Sequence, residues 1–126
     1  MSLKEYFEKT EGTGVLATAH SEGKVDAAVY ARPHFPQDND HTLAFIMSSR
    51  RSYRYIQSNP NAVYVFMEKG EGYQGKRIYL MKTGEDASAE TVEKMRRKPC
   101  KHSEDVSDKQ VVYFKVKSQR PLVGDE

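Results

Sequence analysis

The segment Phe45-Ile46-Met47-Ser48-Ser49-Arg50-Arg51-Ser52-Tyr53 gathers two guanidinium groups and three hydroxyls into five consecutive residues, 48–52. These side chains suit an anion. Arginine makes forked, charge-assisted hydrogen bonds to phosphate oxygens, and serine hydroxyls donate as well. The pattern predicts a strand running into a helix that is entered through Ser48–Ser52 and stopped by Asn59-Pro60. A helix N-terminus leaves about four backbone N–H groups unpaired and carries positive partial charge, so it suits a phosphate dianion. Arg54, three residues beyond Arg51, extends the basic face. The alternative is a helix capped by Ser48 or Ser49, with solvated arginines.

A second group is Ala28-Val29-Tyr30-Ala31-Arg32-Pro33. Small side chains beside a tyrosine leave room for a flat ring on a strand. Arg32 reaches far enough for a carbonyl oxygen or a phosphate. Backbone groups beside Pro33, where the ladder must break, suit the polar edge of such a ring. The alternative is an ordinary half-buried strand with one exposed arginine. A third group, Gly70-Glu71-Gly72-Tyr73-Gln74-Gly75-Lys76-Arg77, lacks the spacing of a phosphate loop and reads as a long hairpin. Lys76 and Arg77 remain candidates for contact with an anion, including one bound by a neighbouring subunit.

Metal and thiol chemistry find little support. His20, His34, His41 and His102 show no i, i+4 pair and no acidic partner in a metal pattern. Only His34, beside the second group, invites attention. Cys100 lies among Lys98, Lys101 and His102, which favour a thiolate, but no Cys-His arrangement follows from spacing. A single cysteine allows no internal disulfide.

The elements that must position these groups follow from periodicity. Ser2 and Glu5 form a capping box before a short helix bearing Leu3, Tyr6 and Phe7. Strands are expected at 14–19, 25–32, 42–47, 62–67, 76–83 and 111–118. Gly23 supplies the turn between the first two. Helices are expected at 48–58 and 88–98, the latter capped by Ser88, and 99–109 reads as a polar loop. Strands that follow one another directly favour an antiparallel arrangement, a mainly β fold in which a six-stranded barrel carries peripheral helices. The 126 residues suit one domain, 1–126. Twenty basic and 18 acidic residues give a net charge of +2, which argues against nucleic acid as the main partner. No apolar run reaches the roughly 20 residues of a membrane helix, and no signal-peptide pattern opens the chain. A cytoplasmic location is the simplest expectation.

Taken in order, the segments Gly14–Thr18 with the hairpin into Val25–Phe35, Leu43–Ser52 with Tyr55–Pro60, and Gly75–Leu80 resemble the pyridoxamine 5′-phosphate oxidase-like FMN-binding split-barrel family. The resemblance spans roughly residues 10–120. It implies a six-stranded antiparallel split barrel, a homodimer and flavin mononucleotide (FMN) at the subunit interface. By position, Arg51 and Ser52 match the phosphate-binding pair, and Arg50 the neighbouring serine position, with Ser48 in the same cluster. Ile46 and Met47 match strand residues near the ring and ribityl chain. Ala28 to Arg32, and so Val29, Tyr30, Ala31 and Arg32, match the strand whose backbone meets the ring edge. Lys76 or Arg77 matches a polar contact from the hairpin strand. The chain departs from the oxidases in having Ala28 in place of an arginine and Ser52 in place of a lysine. Arg120-Pro121-Leu122 also does not supply their C-terminal Arg/His motif. The resemblance therefore implies an FMN flavoprotein, an oxidoreductase of unassigned substrate and electron donor rather than a vitamin B6 oxidase. The alternative is a flavin-binding or sensing module without turnover. Relatives in the superfamily also bind a deazaflavin or haem.

Overall fold

The structure, a computed structural model, describes residues 2–95 and 109–124. Its elements are α1 (Leu3–Lys9), β1 (Gly12–Ala19), β2 (Val25–Val29), β3 (Thr42–Ser48), α2 (Arg51–Ser58), β4 (Asn61–Glu68), β5 (Gly75–Asp86), α3 (Ala89–Met95) and β6 (Lys109–Pro121). The six strands form one antiparallel sheet in the order β2-β1-β4-β5-β6-β3. The sheet curls into a half-barrel, mostly β, with short helices around it.

Alternation drives the curl. Leu16 lies opposite Tyr64, and Tyr64 opposite Ile78; all three are fully buried. Phe66, Leu80, Phe45, Leu43, Met47 and Phe114 fill the same interior. Phe45 meets Tyr64 tilted at 5.0 Å, Phe7 meets Phe66 edge-on at 5.0 Å, and Tyr64 stacks with Phe66 at 6.4 Å. The intervening residues, such as Val15, Ala17, Val63 and Tyr79, point to the outer face.

Two helices seal the open ends. Ser2 caps α1, with the Glu5 N–H donating to Ser2 Oγ at 3.1 Å, while the Glu5 carboxylate accepts from the Ser2 hydroxyl at 3.2 Å. Leu3 and Phe7 of α1 are buried in the core. Ile56 does the same from α2. The outer side of α2 is tied to β5: Tyr53 donates a very short hydrogen bond to Glu85, Lys82 Nζ lies 2.7 Å from Glu85 Oε1, and Gln57 donates to the same oxygen at 3.2 Å. The Glu85 carboxyl is pulled two ways. Burial favours its neutral form, but hydrogen bonds from Lys82, Tyr53 and Gln57 and the Lys82 charge outweigh burial and hold it below the usual range. The hydrogen bond to Glu85 pushes the Tyr53 hydroxyl up to about 12, with burial adding to it.

The seam between the edge strands β2 and β3 closes only at one end. Backbone bonds between His34 and Ala44, 2.9 and 2.8 Å long, pair the chain beyond β2 with the free edge of β3. At the same level Tyr64 Oη donates to the Tyr30 and Ala31 carbonyls at 3.0 and 3.1 Å, fixing the exit of β2 over the core. Gly14 permits this, because a Cβ there would overlap the Tyr64 ring.

Element boundaries shift from expectation. β2 ends at Val29, not Arg32, because the chain crosses the seam there, although the Tyr30 N–H still donates to Gly14 O at 2.9 Å. Ser48 ends β3, and α2 starts at Arg51 with Arg50 as its N-cap, so Ser48 and Ser49 do not cap the helix. β1 begins at Gly12, two residues before its expected start at 14. β5 and β6 are longer than periodicity suggests, and their pairing carries two register shifts. Ser88 caps α3 as expected, donated to by the Thr91 N–H at 3.2 Å. The expected end of α3 at 96–98, the loop 99–108, Cys100 and His102 lie outside the described residues.

Two outcomes test this account. Tyr64→Phe leaves two carbonyls short of a buried donor and should cost about 1–2 kcal/mol in urea unfolding. Glu85 is held below its usual range, so its contribution is present at neutral pH and is lost as the pH falls below the ordinary 4.5. Wild type should be more stable than Glu85→Gln at pH 7. That difference should shrink on acidification; a gap unchanged down to pH ~3 would contradict the clamp.

Candidate functional site

Continuing the register of the His34–Ala44 bridge would set Tyr30 opposite Ser48 and Asp26 opposite Ser52. The strands do not pair there, because β3 stops at Ser48 and the chain turns into α2. The gap is a groove of about 450 Å³ lined by Asp26, Ala28, Val29, Tyr30, Ala31, Ile46, Ser48, Arg50, Arg51 and Ser52. That volume lies within the roughly 300–1,000 Å³ of small-molecule sites.

Its two walls differ chemically. One is β2, an edge strand bonded only to β1 among the described residues. Since Tyr30 N–H turns to Gly14, the alternating ladder turns the backbone groups of Ala27 and Val29 toward the open edge. Ala28 and Ala31 add little bulk. The other wall is the start of α2. Its N-cap, Arg50, makes no side-chain capping bond, and the helix's first intrahelical bond is the 3.0 Å contact from the Arg54 N–H to the Arg50 carbonyl. The N–H groups of Arg51, Ser52 and Tyr53 precede that bond and have no intrahelical acceptor. The Arg51 side chain is 63% exposed, free to swing over the groove. The turn before the helix is held from β6 by Gln110, whose Nε2 donates to Ser49 Oγ at 3.0 Å.

Polar groups meet at the end of the groove away from the His34–Ala44 bridge. Ser52, only 5% exposed, donates its hydroxyl to Asp26 Oδ2 at 2.9 Å. Arg51 Nη1 lies 3.9 Å from Asp26 Oδ1. Tyr30 packs edge-on against Phe45 at 5.8 Å, with its hydroxyl beside Ser52. Burial pushes that phenol up, and the Asp26 charge reinforces this while the Arg50 charge opposes it.

Of the residues singled out from sequence, Val29, Tyr30, Ala31, Ile46, Ser48, Arg50, Arg51 and Ser52 line this one groove. Four lie elsewhere in the subunit. Arg32 turns away and donates to the Phe7 and Thr10 carbonyls at 2.8 and 3.1 Å, satisfying the end of α1. It borders a separate pocket of about 480 Å³ with Lys4, His34 and Lys94. Met47 is fully buried in the core, because alternation turns it opposite to Ile46 and Ser48. Lys76 sits over the Tyr6 ring at 4.9 Å. Arg77 binds the carbonyls of Pro121 and Gly124 beside the outer face. Ala28, the first residue of the second sequence group, also lines the groove, and sequence reasoning missed only Asp26 among the lining residues. The signal was present, since Asp26 shares the Tyr30 side of β2, but a carboxylate is not sought in an anion site. Among the described residues no group of three or more His, Cys, Asp or Glu is placed to hold a metal ion. No helix among them is long and apolar enough to cross a membrane.

No protein-family model matches the chain, and no curated protein matches it in sequence. Solved structures do match. An FMN-binding protein from Syntrophomonas wolfei superposes with a TM-score of 0.77 at 13% identity, covering 98% of this chain and 85% of that one. An F420 reductase gives 0.66 at 17% identity, covering 94% and 97%. The flavin reductase of styrene monooxygenase from Pseudomonas putida S12 gives 0.59 at 9% identity, covering 94% and 83%. At these identities the likeness concerns the fold, and the fold is the split barrel shared by pyridoxamine 5′-phosphate oxidase-like, FMN-binding and F420 reductase proteins.

Proposed function

We propose that the chain binds FMN in the seam groove, as a homodimer, and works as an oxidoreductase. The observation that carries this reading is the pairing of two unlike walls in one groove. The free backbone edge of β2 suits the polar rim of a flat ring, and the arginine-bearing start of α2 suits a phosphate. Flavin-associated proteins of the same fold lend support.

The chain's residues would divide the work by position. Arg50, Arg51 and the first-turn N–H groups of α2 would hold the phosphate. Ile46 and Ser48 would flank the chain that joins phosphate to ring. The β2 backbone at Val29 and Ala31 would orient the ring, with Ala28 leaving space for it. Bound flavin supplies the redox chemistry; the protein supplies position and electrostatics.

The outer face supports the dimer. Val25 is 76% and Val29 74% exposed, and Met67 and Met81 are also exposed. They adjoin an outward row in which Ala17 sits between Ala27 and Val63, and Val63 beside Tyr79. A depression of about 660 Å³ lies over these residues. Apolar surface of this kind marks an interaction site, and Val29 joins it to the groove, so a second subunit would also cover bound ligand. A cytoplasmic setting accords with a chain whose single cysteine needs no oxidising compartment.

Among the described residues, the groove lining contains no histidine or cysteine. This observation keeps a second reading in view, a flavin-binding or sensing module without turnover. Reduction of the bound flavin by NADH or NADPH separates the two, because the module should bind FMN and stay oxidised.

Purified protein should show oxidised-flavin absorbance or quench added FMN fluorescence; the absence of both would defeat the cofactor assignment. Arg51→Ala should weaken FMN about tenfold while leaving riboflavin nearly unchanged; equal losses would reject the phosphate contact. Val63→Glu, on the outer row, should give a folded monomer by sedimentation and circular dichroism. A variant that remains dimeric would refute this face as the interface.

A further inference from the structure

The groove proposed for FMN contains one group that opposes an anion. Asp26 lines it beside Arg50 and Arg51, and its carboxylate is 22% exposed. The Ser52 hydroxyl has a single proton, and that proton is committed to Asp26 Oδ2 at 2.9 Å. The nearest arginine nitrogen, Arg51 Nη1, is 3.9 Å from the other carboxylate oxygen. Asp26 thus already engages Ser52 and Arg51, two of the groups that a phosphate at the start of α2 would meet.

Topology explains why the carboxylate stands there. The seam is bridged at His34–Ala44 and then opens, and Asp26 and Ser52 are the positions that would face each other further along the same register. Their hydrogen bond closes the far end of the groove. Alternation also places Asp26 on the Tyr30 side of β2, and Tyr30 is close enough for the Asp26 charge to act on its hydroxyl.

We propose that Asp26 is a specificity-determining residue of the groove, an internal anion that competes with the ligand's phosphate for Ser52 and Arg51 and so reduces the preference for FMN over riboflavin. The inference rests on the reading of the groove as a phosphate site. A phosphate monoester carries close to two negative charges at neutral pH. Placed against the α2 start, it meets a fixed negative charge across a few ångströms of partly desolvated groove, where like charges repel strongly. Binding must therefore either displace the carboxylate from Ser52 or hold the phosphate off the serine. A neutral ring ligand without phosphate meets no such conflict. Ser52 is neutral and cannot offset the carboxylate with a charge of its own.

The sign of one substitution decides between competitor and support. If Asp26 instead positions Ser52 and Arg51 for the ligand, its removal weakens anion binding. If it competes, removal strengthens it. The first probe is inorganic phosphate on the full chain, by calorimetry and thermal shift. Asp26→Asn keeps the size and a hydrogen-bond acceptor; it should bind phosphate at least about tenfold more tightly than wild type. Asp26→Ser should move in the same direction, and adding Arg51→Ala should remove the gain. Binding no tighter than wild type, weaker binding, or a gain that survives Arg51→Ala would each overturn the proposal. The second probe is the flavin pair. Asp26→Asn should tighten FMN about tenfold and change riboflavin by less than about twofold, and equal tightening of both would also overturn it. Should neither protein bind either flavin while the phosphate gain holds, the FMN reading fails and the role of Asp26 stands.

Discussion

The free edges of β2 and β3 set the terms for the rest of this molecule. A six-stranded antiparallel sheet that curls this far has two edges facing each other, and backbone N–H and C=O groups along them need partners. One pair of residues, His34 and Ala44, supplies two such bonds. Beyond it the strands cannot zip, because the residues that would continue β3 are wound into α2. The opening is therefore a consequence of where one strand becomes a helix.

That single transition gives the groove both of its chemistries. Leaving β2 unpaired keeps backbone donors and acceptors at Ala27 and Val29 facing outward from the sheet. Starting a helix at Arg51 brings unpaired N–H groups and two guanidinium groups to the same opening. Packing keeps the walls in register. Tyr64, wholly buried, holds the exit of β2 through two carbonyls. The Tyr53–Glu85–Lys82–Gln57 cluster and Ile56 hold α2 against the barrel, and Gln110 steadies the turn that precedes it. A site built this way depends on core and clamp residues that never touch a ligand.

The outer face of the sheet follows from the same alternation that fills the core. Residues between the inward leucines and aromatics must point out, and around Ala17 these are alanine, valine and tyrosine, with Arg77 and Lys117 at the margin. β2 contributes to both faces at once, with Asp26, Ala28 and Tyr30 toward the groove and Val25 and Val29 toward the exposed surface. The proposed subunit contact and the proposed ligand site are thus neighbours through one short strand.

Much of this was legible in the chain. Period-two alternation specified the strands, Ser2 with Glu5 and Ser88 specified two helix starts, and the serine-arginine cluster marked the basic start of α2. Eight residues picked for their chemistry gather in one groove, because each sits near a break in a strand or at the start of a helix, where local signals are strong. The direction of long side chains was not legible. Arg32 serves the end of α1 because the fold brings the Phe7 and Thr10 carbonyls within its reach, and Lys76 settles over Tyr6 for a similar reason. Nor could local pattern reveal that Asp26, 26 positions before Ser52, would claim the serine's only proton. Periodicity fixes which face a residue takes; which distant groups share that face depends on strand order and register, and these exist only once the sheet has closed around its core.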